Sequence, residues 1–233
     1  RGKVEELALE AGPIGVQLFD HRPEAMAEAA RRAEASGAFL IDINMGCPVR
    51  KIARKGGGSG LLRDPELAMR IVAAVAGAVR VPVTVKTRLG WCGPSADPVG
   101  FALGLQNAGA RALTLHGRTR EQGFQGQADW AAIARVKRAL TIPLIANGDV
   151  RSPEDALRCL AVTGADGVMV GRGTMGAPWL VGRIDAALRG LPVPPIPGAR
   201  ERLALAAEQL EALLEARGER LSLIHISEPT RPY

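Results

Sequence analysis

Short runs of β-branched and other apolar residues alternate along this chain with Ala-rich stretches whose apolar positions recur every three or four residues. The short runs predict strands over 14–18, 39–43, 81–86, 112–115, 142–146 and 167–170. The longer stretches predict amphipathic helices, among them 24–36 and 65–75, each turning an Ala/Leu/Val face inward. Arg31, Arg32, Arg135 and Arg138 fall on the opposite, solvent faces. Asp64-Pro65, Asp97-Pro98 and Ser152-Pro153 read as helix starts, with an acceptor at the cap and proline in the first turn. Gly37 and Gly109 read as helix ends that need positive φ. Strands that alternate with helices in this way predict βα units and a parallel sheet.

Polar residues gather where the predicted strands end: Gln17, Asn44, Lys86 with Arg88, His116 with Arg118, Asn147 with Asp149, and Gly171 with Arg172. In a (β/α)8 barrel the chemistry sits at that end of the strands. The expected fold class is therefore α/β, a TIM (β/α)8 barrel. Six predicted strands do not close such a barrel, so it is expected to be N-terminally truncated, lacking two strands before Gly15. An open doubly wound sheet is the rival, but it usually carries G-x-G-x-x-G after its first strand, and Ile14-Gly15-Val16-Gln17 has no such loop. A Pro-rich segment, 191–198, precedes a strongly helical stretch, Ala199–Arg217. The expected organisation is a barrel over 1–190 and a linker plus the first helix of a C-terminal helical domain over 191–221. The last segment, 222–233 (SLIHISEPTRPY), breaks the preceding pattern and reads as a non-native, adapter-like tail.

Composition narrows the picture. Aromatic residues make up only 3% of the chain against 47% hydrophobic, so aliphatic side chains must fill the core. No apolar run is long enough for a membrane span, and no secretory leader is visible. Cys47, Cys92 and Cys159 are odd in number and far apart, which suits free thiols and a cytoplasmic location rather than a disulfide framework. The net charge of +6 is compatible with an RNA partner without requiring one. His21, His116 and His225 have no partners at metal-ligand spacing, so no metal site is expected. No obligate protein partner is predicted.

The densest chemistry lies in Asp42-Ile43-Asn44-Met45-Gly46-Cys47-Pro48, followed by Arg50, Lys51 and a glycine-rich loop. Cys47 sits in a loop above a strand end, between Gly46 and Pro48, rather than on an apolar helix face. A free thiol ordinarily keeps its proton near neutrality, so it can act as a general acid. Lys86 at the next strand end could stabilise charge on an electron-accepting ring, and His116, followed by Gly117, suits ligand contact. Asn147-Gly148-Asp149 and Gly171-Arg172-Gly173 follow the last two predicted strands, where barrels often hold phosphate. Glycine N–H groups and the fork of Arg172 fit that task.

The segments VQLF, DINMGCPVRK, RKGGGSGLL, VKTRLGW, LHGRTREQGFQGQADW, IANGDV and GVMVGRGTMGAPW, in this order from Gly15 to Trp179, resemble the tRNA-dihydrouridine synthase family, most closely its bacterial B-type branch. The resemblance implies an FMN-binding barrel with a small helical domain, NADPH as electron donor, and tRNA as partner and substrate. It implies that Cys47 is the proton donor and that Gln17, Lys86, His116, Asn147, Gly148, Asp149, Gly171 and Arg172 bind FMN. By the same resemblance Asn44 lies beside the substrate base. Arg50, Lys51, Arg118 and Arg120, with Arg54 and Lys55, are expected to flank the mouth and hold the RNA backbone. Two other readings compete: an FMN barrel acting on a free small molecule, of the dihydroorotate dehydrogenase kind, and a non-catalytic RNA-binding barrel. Intact Cys47, Lys86 and His116 count against the second.

Overall fold

The computed structural model describes residues 12–49, 53–93 and 96–217. The chain divides after Leu191 into two compact units. In the first, strands and helices alternate: β1 (Gly15–Leu18), α1 (Pro23–Ala35), β2 (Leu40–Asn44), α2 (Pro65–Ala76), β3 (Val83–Arg88), α3 (Pro98–Asn107), β4 (Ala112–His116), α4 (Trp130–Ala139), β5 (Leu144–Asn147), α5 (Pro153–Thr163), β6 (Gly167–Met169) and α6 (Leu180–Leu188). In the second, α7 (Ala199–Arg217) has the bounds its sequence predicts.

The helix starts follow from their caps. The Asp64, Asp97 and Asp129 carboxylates accept hydrogen bonds from the amides of Leu67, Gly100 and Ala132, three residues on, at 3.0, 2.9 and 2.7 Å. Ser152 Oγ accepts from the Asp155 amide, and the Asp155 carboxylate reaches back to the Arg151 amide one residue before the cap, so both sides of the α5 start are tied.

All strand pairs are parallel, and the sheet order is β1-β2-β3-β4-β5-β6. A doubly wound sheet reverses its strand order at a switch point, and this one does not, which removes that rival. Right-handed crossovers in unbroken order carry every helix to the same face. Consecutive helices accordingly pack on one another from α1 to α6. Beneath them the outward-pointing strand residues Ile41, Ile43, Val83, Val85, Leu113, Leu115, Leu144 and Ala146 are buried against Ile71, Val72, Leu105, Ile133, Val136 and Cys159. The pleat sends alternate residues to the other face. There Gln17 pairs in register with Asp42 and Asp42 with Thr84, while Asn44 pairs with Lys86 and Lys86 with Thr114.

The helix-free face is thus polar, and this explains a systematic shift in the strand ends. The apolar runs stop short, but β2, β3, β4 and β5 continue through Asn44, Arg88, His116 and Asn147. Polar side chains that read as post-strand residues are the last residues of the strands, pointing away from the helices. Among the described residues β1 and β6 are the sheet edges. Residues 1–11 and the adapter-like segment 222–233 lie outside the described residues.

Candidate active site

Cys47 is presented by a short turn that the end of β2 dictates. Asn44 Oδ1 accepts hydrogen bonds from the amides of Gly46 and Cys47 at 3.1 and 2.9 Å, an Asx turn that swings the chain off the sheet. Asn44 Nδ2 donates to Gln17 Oε1 at 2.9 Å, and Gln17 Nε2 donates to Asp42 at 2.6 Å. The Cys47 carbonyl accepts from the Ser59 amide at 3.1 Å, so the cysteine backbone is held from both sides. Ser59 belongs to a short 3-10 turn, Gly58–Arg63. Within it Gly60 is required, since a Cβ there would stand 2.6 Å from the Ala53 carbonyl oxygen.

The neighbouring strand ends supply cations and a neutral imidazole. Lys86 Nζ donates to Asn147 Oδ1 at 3.3 Å, and Asn147 Nδ2 donates to the Met169 carbonyl at 2.8 Å. Burial and the Arg88 charge beside it hold the Lys86 ammonium below the ordinary lysine value. Burial raises the Asp42 carboxyl, although Gln17 and Thr84 both donate to it. His116 is pushed down to about 3 by burial and by Arg88, Lys86 and Arg118, so it is neutral at physiological pH. Its Nε2 lies 3.4 Å from Arg118 Nη1. A guanidinium only donates, so Nε2 carries the lone pair and Nδ1 the hydrogen.

Arg118 corrects one expectation. It does not flank the mouth: it is 1% exposed, and its guanidinium donates to the carbonyls of Gln125 and Gly126 and to both carboxylate oxygens of Asp149. His116 and Arg118 are two apart, so strand periodicity continued past β4 was the signal for an inward arginine. Arg120 is half-buried and donates to the Pro48 carbonyl at 3.5 Å, next to Cys47. Arg54 and Lys55 are exposed, while Arg50 and Lys51 lie outside the described residues.

Asp149 organises the far side. It has a positive φ of 58° and accepts from the Ala128 amide at 2.7 Å as well as from Arg118. Burial raises its carboxyl, but the Ala128 amide and the Arg118 guanidinium outweigh this and hold it below the usual value. Arg172 and Arg151 stand 3.8 and 3.9 Å from the same carboxylate. Three guanidiniums therefore share one carboxylate, leaving net positive charge beside the Gly171–Gly173 turn. Gly148 is held at φ 118°, and a Cβ there would meet Ala128 at 2.8 Å and His116 at 3.0 Å.

These parts line one cavity of about 550 Å³ that takes in Gln17, Asn44, Cys47, Lys86, His116, Asn147, Gly148, Asp149, Gly171 and Arg172. Arg88, placed with Lys86 among the strand-end polar residues, also lines it, as do Phe124 and Arg151, which sequence reasoning did not assign to the site. Arg88 is 4% exposed and donates to the carbonyls of Gly46, Thr119 and Gly123, and its charge lies 5.6 Å from the Phe124 ring centroid. It ties the Cys47 turn to the loop after β4. Burial and Arg118 lower it to about 10. Cys159 lies in α5, outside the cavity, where burial pushes its thiol up to about 11. Among the described residues no cluster of His, Cys, Asp and Glu could hold a metal, and no helix is long and apolar enough to cross a membrane.

Known proteins share both architecture and sequence with this chain. A mandelate racemase/muconate lactonizing enzyme structure from Sorangium cellulosum aligns with a TM-score of 0.53 over 77% of this chain and 44% of its own, at 19% identity. A phosphonomutase structure from Burkholderia cenocepacia J2315 also gives 0.53, over 80% of this chain and 74% of its own, again at 19% identity. Identities this low speak to the fold alone. In sequence, "Probable tRNA-dihydrouridine synthase 1" of Synechocystis sp. is 55% identical over 94% of this chain and 61% of its own length. The tRNA-dihydrouridine synthase B of Xanthomonas axonopodis pv. citri is 45% identical over 93% of this chain and 67% of its own. The chain thus spans about three fifths to two thirds of these relatives. The pattern of the dihydrouridine synthase (Dus) family matches residues 3–231. By that match and those identities, the chain belongs to the dihydrouridine synthase family, in its bacterial B-type branch.

Proposed function

We propose that this protein reduces the C5–C6 double bond of uridine in tRNA to 5,6-dihydrouridine, with FMN in the 550 Å³ cavity, NADPH as reductant and Cys47 as proton donor. The observation that carries this reading is the convergence in one cavity of a thiol pinned at its backbone, a buried lysine, a neutral histidine and an arginine-rich glycine turn. The cavity lies within the roughly 300–1,000 Å³ range typical of cofactor sites. The excess charge of Arg118, Arg151 and Arg172 over Asp149 suits a phosphate, and a Cβ on Gly171 would meet nothing within 4 Å, so the backbone there is open to approach.

In this arrangement Arg172, Gly171 and residues 147–149 hold the phosphate end of FMN, and Gln17, Lys86 and His116 hold its ring and ribityl chain. Asp149 steadies the arginines rather than meeting the ligand alone. FMN, once reduced, supplies the hydride that goes to uracil C6. Cys47 gives its proton to C5 and is left as a thiolate, which takes a proton back from solvent. Asn44 sets the turn from which Cys47 meets the base. Arg120, with Arg50 and Lys51, holds the RNA strand while the uridine is drawn out of its stack. The six strands are part of a (β/α)8-type barrel, and the 191–221 segment opens a helical RNA-binding domain. The enzyme works in the cytoplasm.

The test is single-turnover flavin reoxidation. C47A should retain FMN and accept electrons from NADPH at the parent rate, yet pass them to unmodified tRNA about 10²- to 10⁴-fold more slowly. Reoxidation by tRNA at the parent rate would remove Cys47 as the acid. Reoxidation by free uridine as readily as by tRNA would favour a small-molecule substrate.

A further inference from the structure

Beside the main cavity, across Pro48, lies a smaller one of about 220 Å³ lined by Ala53, Arg54, Arg63, Trp91 and Arg120. Backbone pairing between the loops after β3 and β4 builds it. The Arg120 amide donates to the Gly90 carbonyl at 2.9 Å and the Glu121 amide to the Trp91 carbonyl at 3.0 Å, which sets Arg120 beside Trp91. The guanidinium carbons of Arg63 and Arg120 lie 4.8 and 4.9 Å from the Trp91 ring centroid. At most about one Debye length (~10 Å at 0.1 M salt) therefore separates the two charges, and they repel.

No described carboxylate pairs with Arg54, Arg63 or Arg120, whereas Arg118, Arg151 and Arg172 share Asp149. Arg120 is the most buried of the three. Its head group makes one long bond, to Pro48 O at 3.5 Å, and its Nε is buried without an acceptor. A buried donor left without an acceptor is costly, and an incoming oxyanion would relieve it. Stacking on Trp91 offsets part of the repulsion but supplies no acceptor.

We infer that Arg54, Arg63, Arg120 and Trp91 form an oxyanion site for a phosphodiester of the RNA strand, next to the uridine that enters the main cavity. This rests on the RNA-reducing function proposed above. The position argues for RNA backbone rather than a free ion. Arg120 bonds to Pro48, the residue after Cys47, so an anion drawn to Arg120 lies one residue from the proton donor. A strand whose base reaches Cys47 must run its phosphates past this point. Filling the site also restrains the Cys47 turn through the Pro48 carbonyl, so anchoring the strand and positioning the thiol become one event.

The experiment measures tRNA affinity against salt for the flavin-loaded protein and for R63Q, R54Q and R63K. R63Q and R54Q should each bind unmodified tRNA several-fold more weakly and lower the slope of log K against log salt by about one. Both should keep the parent's flavin content and rate of reduction by NADPH. R63K retains the charge and should restore the slope, which a purely structural stack on Trp91 would not do. Should R63Q fail to fold, exposed Arg54 carries the test through R54Q. Unchanged affinity and slope in R63Q and R54Q overturn the site. A selective loss of NADPH over NADH in flavin reduction also overturns it, since the phosphate would then belong to the dinucleotide. Failure of the underlying function looks different: the unaltered protein would hold no flavin, or its reduced flavin would ignore tRNA.

Discussion

At the scale of single residues, charge state is set by what surrounds each group. His116 is held neutral because three cations and burial oppose its protonation. Its folded value of about 3 lies below the ordinary histidine value, so the unfolded chain binds the extra proton first as pH falls. Stability should therefore decline from about pH 6.5 towards pH 3, by up to a few kcal/mol. Asp42, raised by burial, works in the opposite sense just above its ordinary value. Asp149, lowered, contributes stability that is lost only as pH falls through its folded value. Comparing urea unfolding of the parent and H116N between pH 7 and 4.5 isolates the histidine: the variant should show the flatter profile, and parallel profiles would contradict the assignment. Lys86 and His116 were legible in sequence because each ends an apolar run, and Cys47 because it stands between Gly46 and Pro48 above a strand end. The tasks of Arg88 and Arg118 were not. Their partners are mostly backbone carbonyls, at Gly46, Thr119 and Gly123 for one and at Gln125 and Gly126 for the other. Carbonyls have no residue-type signature.

At the scale of elements, the site depends on loops stapled to one another rather than on strands alone. Arg88 leaves the end of β3 and joins the turn after β2 to the loop after β4. R88L would strand three carbonyls and should lower the unfolding free energy by about 3–5 kcal/mol. It should also speed alkylation of Cys47, mapped by mass spectrometry, because the turn loses its tie at Gly46. A variant as stable as the parent with unchanged alkylation would show that the staple is dispensable. Strand and helix positions were legible from periodicity, and helix starts from Asp64, Asp97 and Ser152. Strand ends were misplaced by one or two residues, because the helix-free face is polar and the apolar pattern fades where the site begins.

At the scale of the whole first unit, β2 to β5 are paired on both sides while β1 and β6 are edges among the described residues. Amide exchange should be slowest in β3 and β4 and fastest in β1 and β6, an order that native-state hydrogen exchange would read directly. Equal protection across the sheet would point to further pairing at its edges. The parallel, single-faced architecture was legible from strand–helix alternation and from the missing glycine fingerprint. The unbroken strand order also bears on how the molecule comes into being. Among the described residues, each strand after β1 pairs with the unit made just before it. Loop-closure entropy stays small at every step. A chain emerging from the ribosome can add one βα unit at a time to the growing edge, and the cavity, whose walls come from successive units, deepens as translation proceeds.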